Sequence, residues 1–274
     1  MKFFFKYFII IVGVLFFLPN ALFAQDFQGK AYYFSKTPMD LGRWGAKMSE
    51  QRKKEVATRL KNRLEKTYIL TFNKEESTYK EDEMLDAISG ATDSWGKNFT
   101  PGNQYKNIKT NEFLQIQEFY GKVFLVKDTL KPIEWTMGKE TKQIGNYTCF
   151  KATCKRSTFD LSWYNFSWSE LRRNEKNQND TISKDGIEAD DMVEVVAWYT
   201  PMIPVSQGPI DYQGLPGLIL EVNAGNTTLL CNKIILNPDE REVIKIPKKG
   251  KVVSKKEYKS IITNKMQEFR SNGR

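Results

Sequence analysis

Apolar and polar positions along the chain change period several times, and the changes divide it into elements. Lys30-Ala31-Tyr32-Tyr33-Phe34 is short and aromatic, which predicts a first extended segment. From Ser49 to about Lys66, Val56, Leu60 and Leu64 recur at a four-residue spacing among Lys, Arg and Glu. That spacing predicts a helix with one narrow apolar stripe, suited to covering a sheet. Tyr68-Ile69-Leu70-Thr71-Phe72 reads as a strand, followed by a turn over Asn73 to Glu76. Residues 81–102 are polar and Gly-containing and predict a long loop.

Beyond Asn111 the pattern is that of strands. Glu112 to Tyr120 and Lys122 to Asp128 break at Gly121, a hairpin signature. Glu134 to Met137 and Tyr147 to Cys154 follow, joined through Gly138 to Gly145. Met192 to Tyr199, Leu218 to Val222 and Thr227 to Ile235 add three strands, with Ala224-Gly225-Asn226 as turn chemistry between the last two. Residues 172–191 are mostly polar and read as an insertion. Ser254 with Glu257 three residues later is a capping box. It opens a final helix whose apolar face is Tyr258, Ile261, Ile262, Met266 and Phe269. The whole predicts a mainly β, α+β fold: an antiparallel sheet with one early and one late helix.

Composition then narrows the chemistry. The 274 residues include no histidine, which removes Ser-His-Asp and Cys-His catalysis, His-ligated zinc and His-held haem. No phosphate loop or dinucleotide fingerprint is present, so no cofactor is expected. Residues 1–24 have the order of a secretory signal peptide: Lys2 and Lys6, an apolar run from Tyr7 to Leu18, then Ala21-Leu22-Phe23-Ala24. Cleavage after Ala24 would leave residues 25–274 as one β-rich domain. Export would also turn the formal charge of +9 away from nucleic acid. The most basic stretch, Lys248 to Lys259, suits either a solvated face or attraction to anionic lipid.

Three cysteines lie beyond the leader: Cys149, Cys154 and Cys231. Cys149 and Cys154 share one strand-like run and are too far apart to bridge, at about 3.3 Å per residue. A disulfide would therefore join Cys231 to Cys149 or Cys154; the alternative is three buried thiols. Asp185, Glu188, Asp190, Asp191 and Glu194 cluster without EF-hand spacing, so no metal site is assigned.

Gly214-Leu215-Pro216-Gly217-Leu218-Ile219 spells GLPGLI and follows Gly208-Pro209. Upstream stand Trp135, then Lys142, Ile144, Tyr147, Cys149 and Ala152, then Trp198. In order and spacing these residues resemble the core of the GLPGLI family, exported proteins of Bacteroidota that are mostly of unknown function. The resemblance covers about Lys30 to Ile235. It implies a curved antiparallel sheet or half-barrel with covering helices, similar to the lipoprotein-carrier fold. It also implies a place in the periplasm or at the periphery of the outer membrane, since many members are encoded beside TonB-dependent receptors. It supplies no catalytic residues. Asp128-Thr129-Leu130 and Asp180-Thr181-Ile182 resemble the O-glycosylation signal of such exported proteins, at Thr129 and Thr181.

Leu215-Pro216-Gly217-Leu218 suits a type II turn, with Pro216 at the second position and Gly217 taking the positive φ of the third. Such a turn sets strand register, or forms a rim or plug at a cavity mouth. Three functions follow as expectations. The first is a binding or accessory protein carrying an apolar or amphipathic ligand such as a lipid. The second is a partner-binding module for an outer-membrane receptor or its peptide cargo. The third is a hydrolase using paired carboxylates.

Overall fold

A computed structural model describes residues 27–38, 47–82, 100–168, 171 and 192–272. Twelve strands form one sheet: β1 (Gly29–Lys36), β2 (Glu65–Phe72), β3 (Glu76–Glu81), β4 (Gln104–Asn107), β5 (Glu112–Phe119), β6 (Lys122–Thr129), β7 (Thr136–Ile144), β8 (Tyr147–Ser157), β9 (Met192–Thr200), β10 (Leu218–Ala224), β11 (Thr227–Leu236) and β12 (Lys251–Val253). The helices whose bounds are described are α1 (Glu50–Leu64), α2 (Thr158–Ser162) and α3 (Lys255–Asn272).

The strand order is β12-β6-β5-β4-β3-β2-β1-β11-β10-β9-β8-β7. The chain starts at β1, near the middle, and meanders outward to β6. It then restarts at the opposite edge with β7 and meanders back until β11 pairs with β1. All of these pairs are antiparallel; β12 adds to β6 in parallel, which makes the sheet mixed.

This topology forces curvature. Ten strand steps separate β6 from β7, about 48 Å across a flat sheet. The connection, residues 130–135, reaches at most about 25 Å. The sheet therefore curls until its two limbs approach, yet β6 and β7 do not pair and no barrel closes. The expected mainly β, half-open architecture is the one observed.

Register fixes which side chains face inward. Gly29, Phe72, Ser77, Lys106, Phe113 and Asp128 are successive register partners from β1 to β6, so they share the concave face. The neighbouring row, Lys30, Thr71, Thr78, Tyr105, Leu114 and Lys127, shares the convex face.

Several expectations are corrected. Strands β3 and β4 fall in segments too short and polar to show a clear period. Strand β7 runs over 136–144, through the stretch read as a connection. Helix α1 starts at its Ser49 N-cap as its pattern predicts; Val56 and Leu64 of its stripe are half-buried, and the Leu60 side chain lies outside those described. Helix α3 behaves as predicted: Ser254 and Glu257 cap it reciprocally, and Tyr258, Ile262 and Met266 are buried. Its Tyr258 packs edge-on against Phe124 and Trp163.

Candidate functional site

Residues 201–217 join β9 to β10, and they cross the concave face. Prolines at 201, 204 and 209 keep this segment out of the ladder. Ile203, Val205, Gln207, Tyr212, Leu215 and Gly217 are nonetheless buried. A buried chain without ladder bonds must satisfy its backbone elsewhere. Part of that is local: the amides of Leu218 and Ile219 donate to Ile203 and Gln207 carbonyls at 2.9 and 3.0 Å. The remainder comes from both limbs of the sheet. Ser77 of β3 donates to the Gln207 side chain at 2.9 Å. Trp135 Nε1 donates to the Gln213 carbonyl at 2.9 Å, and just beyond the segment Tyr33 Oη donates to the carbonyl of Ile219 in β10 at 2.6 Å.

The strongest tie is Lys106, in the middle of β4. Its Nζ donates to three carbonyls of one turn: Gly208 at 2.6 Å, Ile210 at 3.0 Å and Tyr212 at 2.8 Å. Three acceptors match the three hydrogens of an ammonium. Ile210 holds a φ of +52°, rare for a β-branched residue, and its carbonyl is one of those that Lys106 fixes. Burial pushes the Lys106 ammonium down to about 7, against the pull of Asp211.

Asp211 lies in the same turn. Arg156 of β8 grips both of its oxygens, at 2.9 and 3.5 Å, and Lys255 at the start of α3 stands 3.7 Å away. Burial works to raise the Asp211 carboxyl, but Arg156, then Lys255 and Lys106, hold it down to about 2. Lys255 also lies over the Phe113 ring at 4.5 Å. One anion thus joins cations from β4, β8 and α3, three elements from opposite parts of the curl. Asp211 is the one charged residue between Thr200 and Leu220. That isolation in an apolar run was the legible signal. Lys106 and Arg156 carried none, because only strand register turns them inward, and Lys255 is brought in only by the docking of α3.

The glycines of the hexapeptide act differently from the expectation. Gly217 does not have positive φ, so the type II assignment to Leu215–Leu218 does not hold; the left-handed residue is Gly214, at +91°. Gly217 is required for space instead: a Cβ there would lie 2.2 Å from the Thr200 carbonyl oxygen. Gly208 is tight against Ile219 in the same way, at 2.8 Å. Pro209 is buried beside it, Pro216 is exposed, and Leu215, Leu218 and Ile219 are buried.

The other residues singled out by sequence split into two groups. On β7 to β10, Lys142 Nζ pairs with Glu221 at 2.6 Å and lies over the Trp198 ring at 4.4 Å. Cys149 is the register partner of Lys142, with Ile144 and Tyr147 packed beside it. Trp135 and Ala152 instead join the cluster containing Tyr212 and Leu215. These are packing and ion-pair roles.

Cys149, Cys154 and Cys231 are free and buried in the structure, the arrangement of three thiols and not the pairing of Cys231 with Cys149 or Cys154. Strands β9 and β10 lie between β8 and β11. Three strand steps, about 14 Å, exceed the Cα separation a disulfide spans. Burial raises the thiols to about 11 at Cys149 and Cys154 and about 12 at Cys231, so they behave as apolar groups. Thr129 is exposed at the end of β6, while Thr181 lies outside the described residues, as do Asp185 to Asp191.

A second feature lies on the convex side. Residues 237–250 leave β11 and strap across the outside of β1 to β6. Glu242 accepts from Lys30 at 2.6 Å and from Thr71 at 3.2 Å, and its backbone bonds the Gln28 side chain. Ile244 packs on the cluster of Tyr105, Leu114 and Leu125. Between this strap and the β2–β3 turn runs an open groove of about 610 Å³, lined by Phe27, Gln28, residues 73–76 and residues 241–244.

A family described as a protein of unknown function, Porph_ging, matches residues 135–221. That span holds the hexapeptide, the Lys142–Trp198 face, Arg156 and Asp211. No curated protein matches the chain. Two solved structures of PNGF-II are similar in backbone course. The form in space group C2 has TM-score 0.48 at 13% identity over 86% of this chain and 32% of that one. The P21 form has TM-score 0.46 at 14% identity over 86% and 33%. The chain spans about a third of the length of those proteins.

Proposed function

We propose that the protein is an exported, non-catalytic accessory protein that docks a partner polypeptide on the convex side of its sheet, in preference to carrying a ligand inside the curl. One observation carries this reading: residues 203–217 occupy the concave face and are bonded to both limbs. An apolar ligand in the manner of a lipoprotein carrier would need that same space. Paired-carboxylate hydrolysis is disfavoured for a related reason. Asp211, the carboxylate of the inner segment, is already neutralised by Arg156 and Lys255.

The convex groove has a volume in the range of ligand sites and presents both charge signs beside Phe27 and Val243. Such a mixed, open trough suits an extended segment of a receptor or of its peptide cargo better than a lipid tail. Export is supported by the basic, apolar and small-residue order of residues 1–24.

The test places a photo-crosslinking residue at exposed Lys74, in the groove, and a control at exposed Gln143, on β7. Irradiation of intact cells should give an adduct with an outer-membrane receptor from position 74 and none from 143. A stoichiometric lipid released on organic extraction of native protein, with no adduct at 74, would overturn docking in favour of carriage.

A further inference from the structure

The convex strap continues into a surface that the groove does not use. Residues 245–252 read Lys-Ile-Pro-Lys-Lys-Gly-Lys-Val, four cations and no acid. Lys245, Lys248, Lys249 and Lys251 are all exposed. Among the described residues none of the four forms an ion pair. Beside them two aliphatic side chains face water, Ile246 at 46% and Val252 at 61% exposure.

The shape of this stretch is fixed by its attachments. Ile244 anchors its start on the outer cluster of Tyr105, Leu114 and Leu125. Gly250, at φ +119°, passes so close to β6 that a Cβ would lie 2.7 Å from the Leu125 amide nitrogen. Lys251–Val253 then pairs with Phe124–Val126, which sends Val253 into the core and Val252 outward. The lysines and aliphatics are thus held on one rim of the sheet.

We infer that residues 245–252 are a docking surface for an anionic lipid bilayer. Lysines next to exposed aliphatics fit a bilayer interface, where phosphates take the charge and the acyl boundary takes Ile246 and Val252. Like charges at this density gain nothing from one another, and their own chain supplies no counter-charge within the stretch. An acidic protein surface would meet the lysines but leave the two aliphatics in contact with charged groups. No described helix is long and apolar enough to cross a membrane. The inference uses a surface separate from the proposed groove and stands without it.

Co-sedimentation with vesicles tests it, comparing phosphatidylcholine alone with phosphatidylcholine plus phosphatidylglycerol. The native protein and the K248E/K249E/K251E variant carry the same N-terminus, so any contribution from residues 1–24 cancels. The native protein should bind the anionic vesicles, release at high salt, and lose at least about tenfold in binding on triple charge reversal. Ile246→Ser with Val252→Ser should give a smaller loss, and circular dichroism should show both variants folded. Equal binding to neutral vesicles, or binding to anionic vesicles unchanged by the triple reversal, would overturn the inference. So would lysine-dependent binding to polyglutamate with none to vesicles.

Discussion

Two connections cross the sheet outside its ladder, one on each face, and they are built in opposite ways. The concave one, 201–217, is largely buried, and side chains from β3, β4 and β8 and the Trp135 connection bond its backbone, its Gln207 side chain or its one charge. The convex one, 237–250, is tied mainly at Glu242 and Ile244 and leaves most of its side chains in water. The difference follows from solvent. A carbonyl in the interior costs free energy unless a donor reaches it, while one on the outside is hydrated. The inner segment's carbonyls therefore meet lysine and tryptophan donors. The outer one needed few, and its side chains stay available to partners.

Substitutions at the inner segment should cost most. Asp211→Ala leaves Arg156 and Lys255 buried without their anion, and should destabilise by about 3–5 kcal/mol in denaturant unfolding. An effect as small as that of a surface charge would break the contrast. Gly217→Ala comes next, at about 3 kcal/mol, because its Cβ meets the Thr200 carbonyl and the backbone of a paired strand. Gly214→Ala should cost less, about 1–2 kcal/mol, since it has room and meets only the left-handed penalty.

Lys106→Met sharpens the comparison through pH. It strands three carbonyls and should cost about 2 kcal/mol near neutrality. The folded-state Lys106 value of about 7 lies below the unfolded value of 10.5. Between these pH values the unfolded chain binds more protons, so this lysine makes native stability rise with pH. The deficit of Lys106→Met should therefore widen from pH 7 to pH 10 in urea titrations. On the outer strap, Glu242→Ala removes a half-exposed ion pair and should cost at most about 1 kcal/mol.

The same contrast explains what the sequence revealed. Apolar runs next to turn residues, such as Thr227 to Ile235 after Ala224-Gly225-Asn226, and the Ser254–Glu257 capping box were legible because their signals are local. Strand β4 was not: four residues around Lys106 show no period, and the inward direction of that lysine exists only through its register with Ser77 and Phe113. The hexapeptide was visible as a unit, but its glycines were assigned by turn rules. Turn rules see φ, and Gly217 answers to a neighbouring strand 17 residues earlier. The curvature came from the resemblance; its physical cause, a six-residue link between β6 and β7 ten strand steps apart, appears only once the strand order is known.

Native-state hydrogen exchange tests the central claim most directly, because it reads both connections in one molecule. If residues 203–217 are the locked interior, the amides of Val205 and Tyr212 should exchange only through global unfolding, as slowly as those of β1 and β10. Amides of 243–249 should exchange orders of magnitude faster, through local opening. An inner segment that exchanges as fast as the outer strap would contradict the account and return the concave face to the list of ligand sites.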